Sequence, residues 1–119
     1  MRYCWTTIMV KDLDRSIAFY RDIVGLSVNR RFSAGPVGEI AFLGSGETQV
    51  ELIARDADRS VVGNAISLGF AVESLGDMLA FVAEHGVAVE SGPFQPNDHI
   101  KFFYVLDPDG VRIQFSESM

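Results

Sequence analysis

The stretch "WTTIMVKDLDRSIAFYRDIVG", residues 5 to 25, decides how this chain can fold. The alternation along its first six residues, Trp5 to Val10, predicts a short strand. Asp12 follows as a helix N-cap, and apolar residues then recur at helical spacing until Gly25, a residue type that commonly ends helices. The stretch therefore predicts a strand that leads directly into an amphipathic helix.

A second stretch, "SLGFAVESLGDMLAFVAEHG", residues 67 to 86, repeats this design with Ser74 as the cap and Gly86 as the stop. Three strand-like runs follow each helix, at residues 26–32, 39–43 and 49–54 and again at 87–94, 101–106 and 111–116. The last two runs are joined by the tight-turn sequence "DPDG". Internal repetition of this kind predicts one α+β domain, residues 1–119, built of two βαβββ modules at about 1–56 and 65–119, with "RDADRSVVGN" between them.

Composition narrows the classes of partner. The net charge of −6 and the pI near 4.7 argue against nucleic acid, and the adjacent pair Arg30 and Arg31 is interpreted as a solvated strand end. A single cysteine, Cys4, permits no internal disulfide and is expected to be inert in a reducing compartment. No apolar run reaches the length of a membrane span or follows a basic N-terminal region. We therefore expect a cytoplasmic protein without a membrane partner.

Alternation also separates the two faces of the predicted strands. One face is apolar and is assigned to packing against the helices, whereas the other is mixed and is a plausible small-molecule cavity. The mixed face carries the candidate ligand-binding residues, which are Trp5, Thr7, Met9, Glu51, Ser67, Arg112 and Gln114.

Glu51, in "TQVELIA" at residues 48–54, is the most informative of these. A half-buried carboxylate costs several kcal/mol, on the order of the penalty for an unpaired buried ion, unless something pairs with it. Three roles are open without a metal: Glu51 binds a cationic or hydroxylated ligand, acts as a catalytic general base, or pairs with Arg112 or Gln114.

Two motifs resemble a known family. The segments "VKDLDRSIAFYRDIVGL", residues 10–26, and "FYVLDPDGVRIQF", residues 103–115, resemble the vicinal oxygen chelate superfamily of glyoxalases, bleomycin-resistance proteins and extradiol dioxygenases. The resemblance implies paired βαβββ modules whose eight strands form a cupped mixed sheet around a ligand. It also implies a homodimer.

The resemblance further implies metal ligands at four positions, which correspond here to Trp5, Glu51, Ser67 and Gln114. Only Glu51 is a strong ligand, because an indole offers no acceptor and an amide oxygen is a weak ligand for transition metals. We therefore expect no metal and no other cofactor. His85 is expected to lie at a helix end, and His99 in a loop that is either solvated or close to the cavity.

The expected function is binding of a small, partly aromatic or amphipathic molecule in a metal-free cup, with Trp5 as a wall and Glu51 and Gln114 as polar anchors. As in bleomycin-resistance proteins, such binding would sequester a drug or metabolite. One alternative is a lyase, isomerase or dioxygenase that recruits a metal through Glu51, Gln114 and His99. Another is a non-catalytic dimeric accessory domain.

Overall fold

The computed structural model describes residues 1–54 and 66–119. The predicted connection at residues 55–64 therefore lies outside the described residues. The chain divides into two compact units, Met1–Val61 and Val62–Met119, and each is described by itself. The prediction that the two modules form a single domain stays a prediction.

The first module contains four strands and one helix. In chain order these are β1 (Trp5–Val10), α1 (Leu13–Ala18) with a π-helical continuation (Phe19–Ile23), β2 (Val28–Ser33), a short 3₁₀ turn (Gly35–Val37), β3 (Glu39–Leu43) and β4 (Gln49–Ala54). The strands lie in the order β1-β4-β3-β2, with β1 parallel to β4 and the other pairs antiparallel.

The second module repeats this arrangement. It consists of β5 (Ser67–Ala71), α2 (Leu75–Glu84), β6 (Ser91–Phe94), β7 (Ile100–Leu106) and β8 (Arg112–Ser118). The strand order is β5-β8-β7-β6, again with the first and last strands parallel. The predicted α+β fold of two βαβββ modules is confirmed, and its eight strands are arranged as two four-stranded mixed sheets.

Both helices begin and end where the sequence predicts. An Asp12 side-chain oxygen accepts a hydrogen bond from the Arg15 backbone N–H at 3.2 Å, and Ser74 Oγ accepts one from the Asp77 N–H at 3.1 Å. These bonds satisfy N–H groups that have no partner inside the helix. Gly86 has a positive φ of +73°, which suits the left-handed residue that ends a helix.

Two strands, β2 and β6, begin two or more residues later than predicted. The backbone N–H of Leu26 bonds to Tyr20 O at 2.9 Å, and that of Val87 bonds to Val82 O at 2.8 Å, so both residues complete a helix end instead of starting a strand. β6 is also short, because Pro93 has no N–H for a ladder bond and the pairing with β7 shifts between Ser91 and Phe94.

One face of each sheet is buried, as the alternation predicts. Ile8 and Val10 in the first module, and Ile113 and Phe115 in the second, are nearly inaccessible to solvent. The other face of each sheet is left for polar and aromatic side chains. No helix within the described ranges is long and apolar enough to cross a membrane.

Helix α2 is also tied to the end of its sheet. The backbone N–H of Leu75, in the first turn of α2, donates to Glu117 Oε1 on β8 at 2.6 Å, and Lys101 Nζ lies 3.8 Å from the same oxygen. A carboxylate at a helix N-terminus is favourable because it meets unpaired N–H groups and the positive end of the helix dipole.

We expect Glu117→Ala to lower the free energy of unfolding by about 1–2 kcal/mol, because it leaves the Leu75 N–H without its acceptor. Urea denaturation measures the loss. Glu84→Ala, an exposed residue at the other end of α2, is the matched control and should change stability by less than about 0.5 kcal/mol. Equal losses in the two variants would contradict the assignment.

Candidate functional site

The mixed face of the first sheet has one row of residues that crosses all four strands. Thr7 on β1 lies opposite Glu51 on β4, Glu51 lies opposite Phe42 on β3, and Phe42 lies opposite Arg30 on β2. Directly opposite residues share a face of the sheet, so the four side chains are neighbours. A hydroxyl, a carboxylate, an aromatic ring and a guanidinium therefore follow one another across the sheet.

Glu51 is the buried member of this row, with 9% of its surface exposed. Thr7 Oγ1 donates a hydrogen bond to Glu51 Oε1 at 2.5 Å. Among residues 1–54 and 66–119, Thr7 is the only hydrogen-bond partner of Glu51. A carboxylate can accept about four hydrogen bonds, so most of its capacity is open to a further donor.

Three aromatic rings line the same face, and we call Trp5, Phe42 and Phe32 the aromatic shelf. The Trp5 and Phe42 rings meet edge to face with centroids 5.2 Å apart, and the Phe42 and Phe32 rings are stacked at 6.3 Å. Phe42 is buried, whereas Trp5 is 46% and Phe32 39% exposed. The shelf therefore offers exposed apolar surface beside a buried carboxylate. Met9, the remaining candidate on β1, is half-buried.

Arg30 lies on this shelf. Its guanidinium carbon is 4.5 Å from the centroid of the Phe42 ring and 5.3 Å from that of Phe32. The neighbouring Arg31 points to the opposite face, where it forms ion pairs with Asp14 at 2.7 Å and Glu39 at 3.3 Å. Within the described part of the chain no carboxylate pairs with Arg30.

Gln114 occupies the equivalent position in the second sheet, where the chemistry is neutral. It lies opposite Gly69 on β5 and Tyr104 on β7, and its Nε2 donates to the Tyr104 hydroxyl at 3.2 Å. A Cβ atom on Gly69 would lie only 3.1 Å from Gln114 Oε1. The glycine therefore leaves room for the amide in its present position.

Arg112 makes its contacts inside the second module. Its guanidinium carbon lies 3.8 Å from the centroid of the Tyr104 ring, and its Nη2 donates to Glu90 Oε1 at 3.1 Å and to Ser91 Oγ at 3.2 Å. The Ser91 hydroxyl and, after it, Arg112 lower the pKa of Glu90 from its ordinary value. The charged form of Glu90 is thereby favoured, and the ion pair helps to hold Arg112 over the Tyr104 ring.

The sequence-predicted site residues thus fall into two groups. Trp5, Thr7 and Glu51 share the mixed face of the first sheet, and Ser67, Arg112 and Gln114 share that of the second, where Ser67 is exposed opposite Arg112.

The four positions that the resemblance assigns to metal ligands do not suit a transition metal. Glu51 is the only strong donor among them, because Trp5 has no acceptor, Ser67 carries a neutral hydroxyl, and Gln114 offers only an amide oxygen. The described residues contain no cluster of three or more His, Cys, Asp or Glu that could hold a metal ion.

The histidines do not complete such a site within their module. His99 is exposed and lies five residues before Tyr104, the strand partner of Gln114, which corresponds to about 17 Å along an extended strand. His85 ends α2, as predicted, and its Nδ1 lies 2.9 Å from Phe81 O.

Sequence reasoning missed Arg30 and Glu90. The adjacent charges of Arg30 and Arg31 suggest a solvated pair, although the alternation of Arg30 with Phe32 places these two residues on one face of a strand. Glu90 was included in a strand that in fact starts one residue later, at Ser91.

Comparison with known proteins identifies the family. The model of the Glyoxalase/Bleomycin resistance protein/Dioxygenase superfamily matches residues 2–115. The chain belongs to this superfamily. A curated relative from Salmonella typhimurium, named lactoylglutathione lyase, is 33% identical over 99% of this chain and 93% of its own length.

Solved structures agree on the fold of this superfamily member. A glyoxalase family protein from Bacillus cereus has a TM-score of 0.83 at 22% identity and covers 100% of this chain and 95% of its own. An antibiotic binding protein from Streptomyces has a TM-score of 0.81 at 20% identity, covering 100% of this chain and 97% of its own.

We expect Thr7→Val to lower the free energy of unfolding by about 1–3 kcal/mol, because it removes the hydrogen bond to a buried carboxylate. Thr7→Ser keeps the hydroxyl and serves as the control. In a Glu51→Gln background the same Thr7→Val change should cost at least about 1 kcal/mol less, which a double-mutant cycle by urea denaturation measures. Additive losses would contradict the coupling.

Proposed function

We propose that this protein binds a small, partly aromatic or amphipathic molecule on the mixed face of the first sheet, without a metal ion. The observation that carries the proposal is the buried Glu51 carboxylate, whose only hydrogen-bond partner in the described ranges is Thr7. The ligand supplies a donor, an ammonium or a hydroxyl, to the open oxygen of Glu51.

The energetic argument is that a buried carboxylate is costly unless its oxygens are satisfied. One hydrogen bond from Thr7 offsets only part of this cost, so retaining Glu51 reduces the stability of the free protein. A ligand donor would recover the remainder on binding. The aromatic shelf beside Glu51 offers apolar surface for the body of the ligand, with Trp5 as the exposed wall.

Binding is proposed in preference to catalysis because of the groups that lie beside Glu51 on the same face of the sheet. Proton abstraction needs an electrophile or an oxyanion donor beside the base. Beside Glu51 this face supplies the Thr7 hydroxyl and aromatic rings, which suit recognition better, and the guanidinium of Arg30 comes from a strand two positions away in the sheet. The proposal includes a cytoplasmic homodimer and a second set of polar anchors, Ser67, Arg112 and Gln114.

The test is titration of Trp5, the only tryptophan in the chain, by fluorescence with a panel of aromatic amines that includes 4-methylbenzylamine. We expect saturable quenching, and Glu51→Gln should weaken it about tenfold or more through loss of a charge-assisted hydrogen bond. Glu39→Gln, an exposed carboxylate on the other face of the sheet, is the control and should leave the titration unchanged. A panel that leaves Trp5 unperturbed would overturn the proposal in favour of an accessory domain.

The metal-free part has its own test. Protein purified without chelator, then incubated with Zn²⁺, Ni²⁺, Mn²⁺ or Fe²⁺ and desalted, should retain well below one metal ion per chain, because a single strong ligand does not hold a transition metal. Near-stoichiometric metal in the parent protein that is absent from Glu51→Ala would overturn this part.

A second candidate is lactoylglutathione lyase activity, favoured by the 33% identical Salmonella relative that carries that name. An assay of this activity with each of the four metals added decides between the two. Turnover that needs both a metal and Glu51 would support the lyase. We expect no turnover, because only Glu51 is a strong donor among the four positions that the resemblance assigns to metal ligands.

A further inference from the structure

We propose that the ligand of the first sheet is an aromatic zwitterion, whose cationic group binds Glu51 and whose carboxylate binds Arg30. This rests on the proposed function and specifies its ligand class. The starting observation is the row Glu51–Phe42–Arg30, in which a buried carboxylate and a guanidinium lie on either side of one aromatic residue.

Arg30 is suited to an anion because its guanidinium lies over aromatic rings and has no acidic partner in the described ranges. The guanidinium carbon is 4.5 Å from the Phe42 centroid and 5.3 Å from the Phe32 centroid. The N–H donors lie in the plane of the group, and their fork geometry matches a carboxylate. Within residues 1–54 and 66–119 no carboxylate occupies that fork, whereas the neighbouring Arg31 has two acidic partners.

The aromatic shelf also restricts how Arg30 can move. Contacts with two rings hold the long side chain close to the sheet, so less conformational entropy is lost when it binds an anion. A cation over an aromatic ring is itself favourable, and most strongly when water is excluded. A ligand that covers the shelf would strengthen both contacts.

Glu51 and Arg30, both among the described residues, form no ion pair with each other in the structure. Their strands are separated by β3, which places the backbones about 10 Å apart. Phe42 lies between them. A ligand with one ring and a charge at each end therefore matches this face. Its ring lies against the exposed Trp5 end of the shelf, beside the Arg30 guanidinium that covers Phe42. Its ammonium meets Glu51 and its carboxylate meets Arg30.

Three probes with the same aromatic ring test the contributions of the cationic and anionic groups separately. 4-(Aminomethyl)benzoate carries both, 4-methylbenzylamine carries only the cation, and 4-methylbenzoate carries only the anion. In a Trp5 fluorescence titration we expect the zwitterion to bind about tenfold more tightly than 4-methylbenzylamine, the gain typical of one added charge-assisted hydrogen-bonded contact. 4-Methylbenzoate should bind most weakly, because it carries no cationic group to meet the Glu51 carboxylate.

Arg30→Gln tests the assignment of the anion site. This variant should bind the zwitterion about tenfold more weakly, with an affinity similar to that for 4-methylbenzylamine. Its affinity for 4-methylbenzylamine should be unchanged. Arg31→Gln removes the same charge from the opposite face and should change neither titration. Arg30→Lys keeps the charge but loses the fork, so an intermediate affinity is expected. Melting temperatures of all variants verify that they are folded.

The outcomes separate this inference from the proposed function. The ligand is not a zwitterion if 4-methylbenzylamine binds through Glu51 and the zwitterion binds no more tightly, or if Arg30→Gln and Arg31→Gln have the same effect on binding. In either case the proposed function stands. If 4-methylbenzoate binds best, the site takes an anion and the inference is overturned. If none of the three perturbs Trp5, the proposed function fails and the inference fails with it.

Discussion

The parallel pairing of first and last strands is the constraint on which each module depends. β1 pairs with β4, and β5 pairs with β8, so the chain must pass over the sheet between them. The helix makes the first part of this crossover and covers one face, as parallel connections require. The same pairing brings Thr7 opposite Glu51, which means that the hydrogen bond at the candidate site is a direct result of the topology.

The two modules carry different chemistry at equivalent positions. Thr7 and Glu51 in the first correspond to Gly69 and Gln114 in the second, and Phe42 corresponds to Tyr104. Each module also has an arginine on the aromatic residue of this row. In the second module Arg112 pairs with Glu90 and the Gln114 amide donates to the Tyr104 hydroxyl, so the charge of Arg112 is balanced inside the module. Of these two rows, only the one in the first module has charged groups without a charged partner in the described ranges, and these are Glu51 and Arg30.

The sequence predicted the fold well because its signals are local. The caps Asp12 and Ser74, the stop at Gly86 and the alternation of the strands each depend on a few neighbouring residues. The mixed faces and Glu51 followed from the same alternation. The contacts of Arg30 and Arg112 could not be predicted, since they depend on cross-strand register and on a bulge that no local pattern fixes.

The placement of Arg30 and Arg31 on opposite faces has a consequence for the edge strand β2. A one-residue slip of an edge strand exchanges its two faces. For most sequences the slipped register is unfavourable, because it buries polar groups. Here the slip would replace one arginine by the other, so neither residue discriminates between the two alignments. The correct register must be enforced by Phe32 and by the irregularity between Val28 and Arg30. The shape of the candidate site therefore depends on a hydrophobic residue at the edge of the sheet.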